Sequence, residues 1–462
     1  MTHPNEPRGG ELPSEALPTD GRRRGIIPAD VRGRFNRARR VVFLFLLSVW
    51  LTLPWIKIGG YPAVFFDLEH SNLFLFGSTY NAQDAWLLSF MLTAIGLVIV
   101  YVTALAGRGW CGWACPQTVF LDGVYRAIER LVEGPRELRL RRMDVRSPGE
   151  IVGRHVLTHV LYGMVSLAMA IVLLTYFVTP SIAISMVRRG FIGNSKAMSW
   201  VLIVGALLYF NFSWFREQLC VVICPYGRLQ SVLLDEDSLV IGYDSQRGEP
   251  RGRKDKVGAG DCVDCRRCIA VCPTGIDIRN GVQLECIACT ACIDACDGIM
   301  TRLDRRIGLV RYDSQAGLSG KPRRFIRPRL LLYTALLAVG GFAASVVTHR
   351  RLDFEVALLR LPGGPYTVDG NVVVNAMQLH LVNKRSTPER YRVEIETRSG
   401  LNAVVPIRDV SVAPLGDARA PVVLSMAESD FHGEFPVIAR VISEKGPIRT
   451  ATVSAMFLGP SR

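Results

Sequence analysis

No cysteine precedes Cys111 and none follows Cys296, although the chain holds 12. That confinement excludes a secreted disulfide framework, whose cysteines are spread through a short, loop-rich chain. It points instead to ligand chemistry in a reducing compartment. The polar, Arg-rich segment up to Arg40 lacks an apolar stretch with a small-residue cleavage site, so no cleaved signal peptide is read there. No nucleotide or flavin fingerprint stands out, nor any helix-turn-helix, zinc-finger or RNA-binding signature. The net charge of +14 therefore speaks for a membrane with a basic cytosolic face and against a nucleic-acid partner.

What is present is apolar: 49% of the residues are hydrophobic, and the mean hydropathy is positive. Five apolar runs approach the roughly 20 helical residues that cross a hydrocarbon core of about 30 Å. They are Val41–Ile58, Ala85–Ala106, Val156–Val178, Ser199–Phe215 and Leu330–Val347. Buried helices of a large soluble protein would seldom be so free of charge and so flanked by Arg and Trp. Trp50, Trp55, Trp110 and Trp113 read as interfacial anchors. Orientation follows from the basic residues beside the spans. The tail carries Arg22, Arg23, Arg24, Arg32, Arg34, Arg37, Arg39 and Arg40, whereas the stretch Gly60–Asp84 has no Lys or Arg. The next loop is basic again, with Arg136, Arg139, Arg141, Arg142 and Arg146. The N-terminus is thus expected in the cytosol and the C-terminal region outside. Arg188, Arg189 and Lys196, with Arg350 and Arg351, run against this assignment without reversing it.

The expected architecture is a multi-domain membrane protein. A basic cytosolic tail (1–40) leads into an all-α bundle of four transmembrane helices (41–218), and a fifth helix spans 330–348. Between them, 219–329 holds an inserted cytosolic α+β ferredoxin-like domain, with Arg247–Gly260 as a flexible lead-in to its cysteines. Residues 349–462 carry alternating or β-branched runs at Asn371–Val382, Tyr391–Thr397, Pro421–Ser425 and Thr450–Phe457. Turn-forming residues separate them, which suggests an all-β, immunoglobulin-like sandwich outside the membrane.

The chemistry lies in the cysteines. Cys262, Cys265, Cys268 and Cys272 form one C-x2-C-x2-C-x3-C run, and Cys286, Cys289, Cys292 and Cys296 a second. This is the bacterial two-cluster ferredoxin spacing, in which three thiolates grip one cubane and the fourth reaches the other. One [4Fe–4S] cluster is expected on Cys262, Cys265, Cys268 and Cys296, the other on Cys286, Cys289, Cys292 and Cys272. Structural zinc more often pairs two C-x2-C knuckles across a longer gap. Asp297 stands where the generic second run has proline.

Two further pairs, Cys111/Cys115 and Cys220/Cys224, share the pattern C-x3-C-P, each following an apolar run. Thiols at i and i+4 share one helix face, and the proline predicts a helix break. Both pairs are expected at the cytosolic membrane face, where four thiols could bind Cu(I), zinc or another iron–sulfur cluster, or cycle as redox thiols. Otherwise they are small apolar packing residues. His155 and His159, also at i and i+4, could add metal ligands or shuttle protons, although a pair at a membrane edge more often serves packing.

The chain resembles the cytochrome c oxidase accessory proteins CcoG, also called FixG or RdxA. The matching stretches are Leu53–Gly60, Phe74–Gly77, Cys111–Thr118, Cys224–Gln230 and Cys286–Asp297. The resemblance implies a bacterial inner-membrane protein that assists assembly of a cbb(3)-type oxidase as a cupric reductase. Copper ion would be its substrate, and the C-x3-C-P cysteines its catalytic site. Oxidase assembly factors, a copper chaperone or exporter, and a cytosolic electron donor would be its partners. Two alternatives stand beside it: a subunit linking the quinone pool to a periplasmic reductase, and a non-catalytic assembly scaffold.

Overall fold

The computed structural model describes residues 26–81, 84–144, 148–252, 258–324, 326–350, 352–396, 398–444 and 449–460. Arg22, Arg23, Arg24, Arg146, Arg351 and part of the expected lead-in, 253–257, lie outside the described residues. Among the described residues five helices are long and apolar enough to cross a membrane. They are Arg34–Trp55, Trp86–Ala106, Val152–Leu174, Ser195–Phe215 and Pro328–Thr348. At most 28% of any of these apolar windows is buried within the protein, and none of the fifth. Their exposed Leu44, Phe45, Phe90, Leu92, Leu207 and Phe342 are lipid-facing, because water would not tolerate so much contiguous apolar surface. Where the third and fourth spans pack, Gly205 admits Leu167, whose Cδ2 would sit 2.9 Å from an added Cβ. Arg188 and Arg189 lie in a separate helix, Pro180–Gly193, and Lys196 begins the fourth span.

The first span begins at Arg34, earlier than the apolar run suggests. Its opening amides find a distant acceptor: Asp294 takes hydrogen bonds from Phe35 N at 3.2 Å and Asn36 N at 2.7 Å. Gly33 is required there, since a Cβ would lie 2.1 Å from the Asp294 carboxyl carbon.

The ferredoxin-like part is held by an antiparallel pair, Val240–Tyr243 with Val310–Asp313, register Ile241↔Tyr312. Helix Arg267–Ala270 lies within the first cysteine run, and Ala291–Arg302 begins within the second and carries Cys292 and Cys296. The expected flexible lead-in is instead tied down where it is described. Gly252 N donates to Cys262 O at 3.0 Å, and Gly260 N to Pro250 O at 2.8 Å. Arg247 also grips Asp261 at 2.5 Å. Trp50 and Trp113 are likewise not plain anchors: Trp50 packs edge-on against Phe120, and Trp113 Nε1 donates to Tyr312 Oη at 3.1 Å.

Residues Ile56–Leu88 and Phe342–Arg462 form a second compact unit. Its C-terminal strands are β1 (Phe354–Arg360), β2 (Thr367–Asp369), β3 (Val372–Asn383), β4 (Glu389–Ile395), β5 (Leu401–Val404), β6 (Asp409–Val412), β7 (Asp417–Ala427), β8 (Phe435–Ser443) and β9 (Thr450–Phe457). Two antiparallel sheets, ordered β5-β7-β3-β1 with β2 beside β3, and β6-β4-β8-β9, make an immunoglobulin-like sandwich. Alternate residues such as Leu379, Leu381, Val422, Val393, Ala439 and Val441 fill its core, the period-two pattern of half-buried strands. The stretch after the first span, read only as a loop free of cations, folds as antiparallel strands Val64–Asp67, Asn72–Leu75 and Ser78–Asn81. Its Asp84 meets the buried Lys384 at 3.0 Å, and Lys384 also pairs with Glu355 at 3.0 Å.

Candidate iron–sulfur and thiol sites

Each cysteine run turns through the same backbone device. Asp264 and Arg266 flank Cys265, and Ala288 and Thr290 flank Cys289, all four with φ between 48° and 67°. Non-glycine residues seldom adopt this left-handed conformation, and clusters of it mark functional loops. Thr290 is held there while its Oγ1 donates to Cys289 O at 2.5 Å. The turns aim peptide N–H groups at sulfur: Ala288 toward Cys286 and Ala291 toward Cys289, with Val310 serving Cys296. Such paired turns create anion-binding concavities.

Two cavities result. One is walled by Cys262, Cys265, Cys268 and Cys296; the other by Cys272, Cys286, Cys289 and Cys292, and Cys268 lines this one too. The fourth cysteine of each run has crossed to its neighbour's cavity. Burial first, then neighbouring sulfur, pushes the Cys292 and Cys296 thiols up, the latter to about 12. Thiolates there need a compensating cation, which an iron–sulfur core supplies, so the residues fit that group. Among the described residues no three His, Cys, Asp or Glu side chains close on a single metal ion. A cubane, with one ligand on each corner, needs no such closure.

The C-x3-C-P pairs converge. Cys111, Cys115, Cys220 and Cys224 each lie within electrostatic reach of the other three. The break falls at the second cysteine of each pair: Cys115 and Cys224 are extended, and Pro116 and Pro225 open new helices. Burial, then Cys115, raises the Cys111 thiol to about 11. Burial, then Cys115 and Cys111, raises Cys220 to about 12. The fully buried Gln230 brings Oε1 to 3.6 Å from Cys111 Sγ.

This quartet adjoins the second cysteine run. Cys111 packs against the apolar cluster of Val271, Ile287, Cys289, Ala291 and Ala295. Gly112 presses on the run itself, where an added Cβ would stand 2.5 Å from Ala288 O. Arg108 donates to Cys286 O at 3.1 Å and to Gly227 O at 2.7 Å, and also to Leu284 O. Arg39 is buried; its Nε donates to Gly112 O at 3.0 Å, and its other end pairs with Asp122 at 2.8 Å. Sequence reasoning took Arg39 as one more orientation charge and assigned nothing to Arg108, Gln230 or Tyr312. None stands in a motif whose spacing betrays a role.

His155 and His159 contact each other at 3.1 Å, but their further partners are not the thiols. His159 Nδ1 meets Tyr209 Oη at 2.7 Å, and His155 reaches Glu133 at 3.5 Å. Nearby, Glu129 takes Arg216 at 2.5 Å, Arg139 at 3.0 Å and the Tyr162 hydroxyl at 2.6 Å. Burial alone would raise the Glu129 carboxyl; these partners outweigh it and hold it at about 2.

Residues 215–315 match the family described as a 4Fe-4S dicluster domain, and 86–135, which include Cys111 and Cys115, a 4Fe-4S binding domain. Residues 342–460 match the immunoglobulin-like fold at the C-terminal of FixG. The chain is 34% identical to RdxA of Cereibacter sphaeroides over 395 residues, covering 81% of this chain and 83% of that protein. It is 34% identical to the nitrogen fixation protein FixG of Rhizobium meliloti over 446 residues, 86% and 83% of the two chains. The ferredoxin-type protein NapH of Haemophilus influenzae is 26% identical over 282 residues, 57% of this chain and 87% of that one. With the five apolar helices, these matches make the chain a membrane iron–sulfur electron-transfer protein.

Proposed function

The chain belongs to the FixG/RdxA family, and from that premise we propose that it reduces Cu(II) to Cu(I) for the copper centre of a cbb(3)-type cytochrome c oxidase. The observation that carries this reading is the convergence of four C-x3-C-P thiols beside the Cys289 loop. When bound, two [4Fe–4S] clusters supply one-electron transfer at a potential that can be strongly negative. In this reading Cys262, Cys265, Cys268 and Cys296 hold one, and Cys272, Cys286, Cys289 and Cys292 the other. Cys265 is the exposed member of the eight, so a soluble cytosolic reductant would meet the relay there. Cys289, by contrast, is buried against Cys111, so the exit lies toward the thiol quartet.

At the quartet each Cu(II) accepts one electron, the donor loses one, and no substrate bond is broken. Soft sulfur donors favour the Cu(I) product. A gap of about 300 mV would give roughly five decades of driving force for a one-electron step. Arg108 and Gln230 position the quartet, Arg108 by tying the two C-x3-C-P segments to the Cys286 loop. The pair His155 and His159, engaged with Tyr209 and Glu133, is not needed as copper ligand. In this reading the protein sits in the bacterial inner membrane with its clusters cytosolic and its sandwich periplasmic. The charge bias beside the spans supports that orientation. Cu(I) would leave to oxidase assembly factors or a copper carrier.

The test is stopped-flow reoxidation of the anaerobically purified, dithionite-reduced protein by Cu(II). Cys111→Ser with Cys220→Ser should slow reoxidation at least about tenfold while the EPR signals of both reduced clusters persist. Equal rates in the variant and the parent would overturn copper reduction at the quartet.

A further inference from the structure

A cavity of about 380 Å³ lies at the N-terminal end of the first span, and its walls differ in chemistry. Phe43, Leu44 and Leu47 of the span make one side apolar. The rest of the lining carries Arg39 and Arg40 of the same helix with Arg126, Arg130, Arg136 and Arg139, against three carboxylates, Asp30, Asp122 and Glu129. Two of the three are already engaged. Asp122 serves Arg39 at 2.8 Å and Arg126 at 2.6 Å, and Glu129 serves Arg139 and Arg216; Arg126 also pairs with Glu217, and Arg139 with Glu133 at 2.7 Å. Asp30 reaches Arg130 at only 3.5 Å, across an exposed edge. Burial, with the neighbouring Arg267 guanidinium, lowers Arg136 from the ordinary arginine value. Positive charge is thus in excess among the groups that line a half-apolar cavity, with Arg40, Arg130 and Arg136 the least engaged by carboxylates, a condition that an anion relieves.

We propose that this cavity binds an anionic phospholipid, with its phosphate among Arg40, Arg130 and Arg136 and its acyl chains along Leu44 and Leu47. A free phosphate would answer the arginines but leave the apolar wall wet. Leu44 is 66% exposed on a helix that crosses the membrane, so a chain can enter from the bilayer. Cys289, Val271 and Ile27 also line the cavity. The lipid therefore joins the span, the second cysteine run and the segment before the span. Of the functional reading the inference uses only the membrane location, and it stands whether or not the protein reduces copper.

Native mass spectrometry of the full-length, delipidated protein tests it, using phosphatidylglycerol and phosphatidylcholine of equal chain length. One phosphatidylglycerol per chain should be retained, about tenfold more tightly than phosphatidylcholine. Arg40→Gln with Arg130→Gln should bring the two lipids to parity. Arg302→Gln with Arg306→Gln, which alters exposed arginines away from the cavity, should leave the preference intact. If the first pair loses its cluster absorbance, Leu47→Gln supplies the same test: it should weaken phosphatidylglycerol with every arginine in place. Equal retention of both lipids would overturn the proposal, as would equal loss in the Arg302/Arg306 variant. Thermal protection by inorganic phosphate alone, matching that by phosphatidylglycerol at the same concentration, would do so too.

Discussion

Glycine at 112 lets the C-x3-C-P segment touch the second cysteine run backbone to backbone, and alanine has no room there. The Cβ of Gly112→Ala would fall 2.5 Å from Ala288 O and 2.6 Å from Ile287 O. Neither carbonyl can rotate away as a side chain would. We expect Gly112→Ala to displace the Cys286–Cys289 loop, halving iron content and removing one of two reduced-cluster EPR signals. Glu129 governs acid stability nearby. Its folded value of about 2 lies below the ordinary 4.5. Its contribution is therefore complete above pH 4.5 and is lost as the pH falls toward 2. Between pH 5 and 8 it adds no slope. Unfolding midpoints measured from pH 6 down to pH 3 should fall less steeply in Glu129→Gln than in the parent.

At the scale of elements, the first span and the helix Ala291–Arg302 are joined by one carboxylate. Asp294 sits between Cys292 and Cys296, yet it caps a helix far away in sequence. Helix N-termini leave amides without intrahelical partners, and losing a capping oxygen typically costs about 1 kcal/mol. Asp294→Ala should lower the unfolding midpoint by that equivalent, and Asp294→Asn should retain most of it. If both variants match the parent, the cap is energetically idle. The helix breaks of the C-x3-C-P pairs were legible because proline lacks the amide that a helix interior needs. The left-handed pairs around Cys265 and Cys289 were not. Asp264, Arg266, Ala288 and Thr290 carry no glycine signature, so their left-handed backbone shows only in the folded chain.

At the scale of the molecule, the stretch after the first span and the C-terminal sandwich form one unit, with Lys384 between Asp84 and Glu355. Lys384 and Asp84 are 8% and 7% exposed at their side chains. Removing one partner of a buried ion pair typically costs about 3–5 kcal/mol. Lys384→Met should therefore destabilise this unit strongly, seen as early loss of β-sheet signal on heating. Asp84→Asn combined with it should recover part of the loss. A midpoint unchanged in Lys384→Met would show the pair to be solvated.

The sequence by itself determined the features with a local physical signature. Five apolar runs follow from the length needed to cross a bilayer. The two ferredoxin runs follow from the spacing that lets three thiolates reach one cubane, and the sandwich from period-two alternation. It also proposed the crossing of Cys272 and Cys296 between the two clusters. Only the tertiary structure decided what lies between these features. It brings Cys111, Cys115, Cys220 and Cys224 within electrostatic reach of one another and packs Cys111 against the cluster that holds Cys289. It gives Arg39, Arg108 and Asp294 their partners and leads His155 and His159 elsewhere. Contacts across such separations arise from how helices pack, and side-chain spacing along a chain carries no record of that packing.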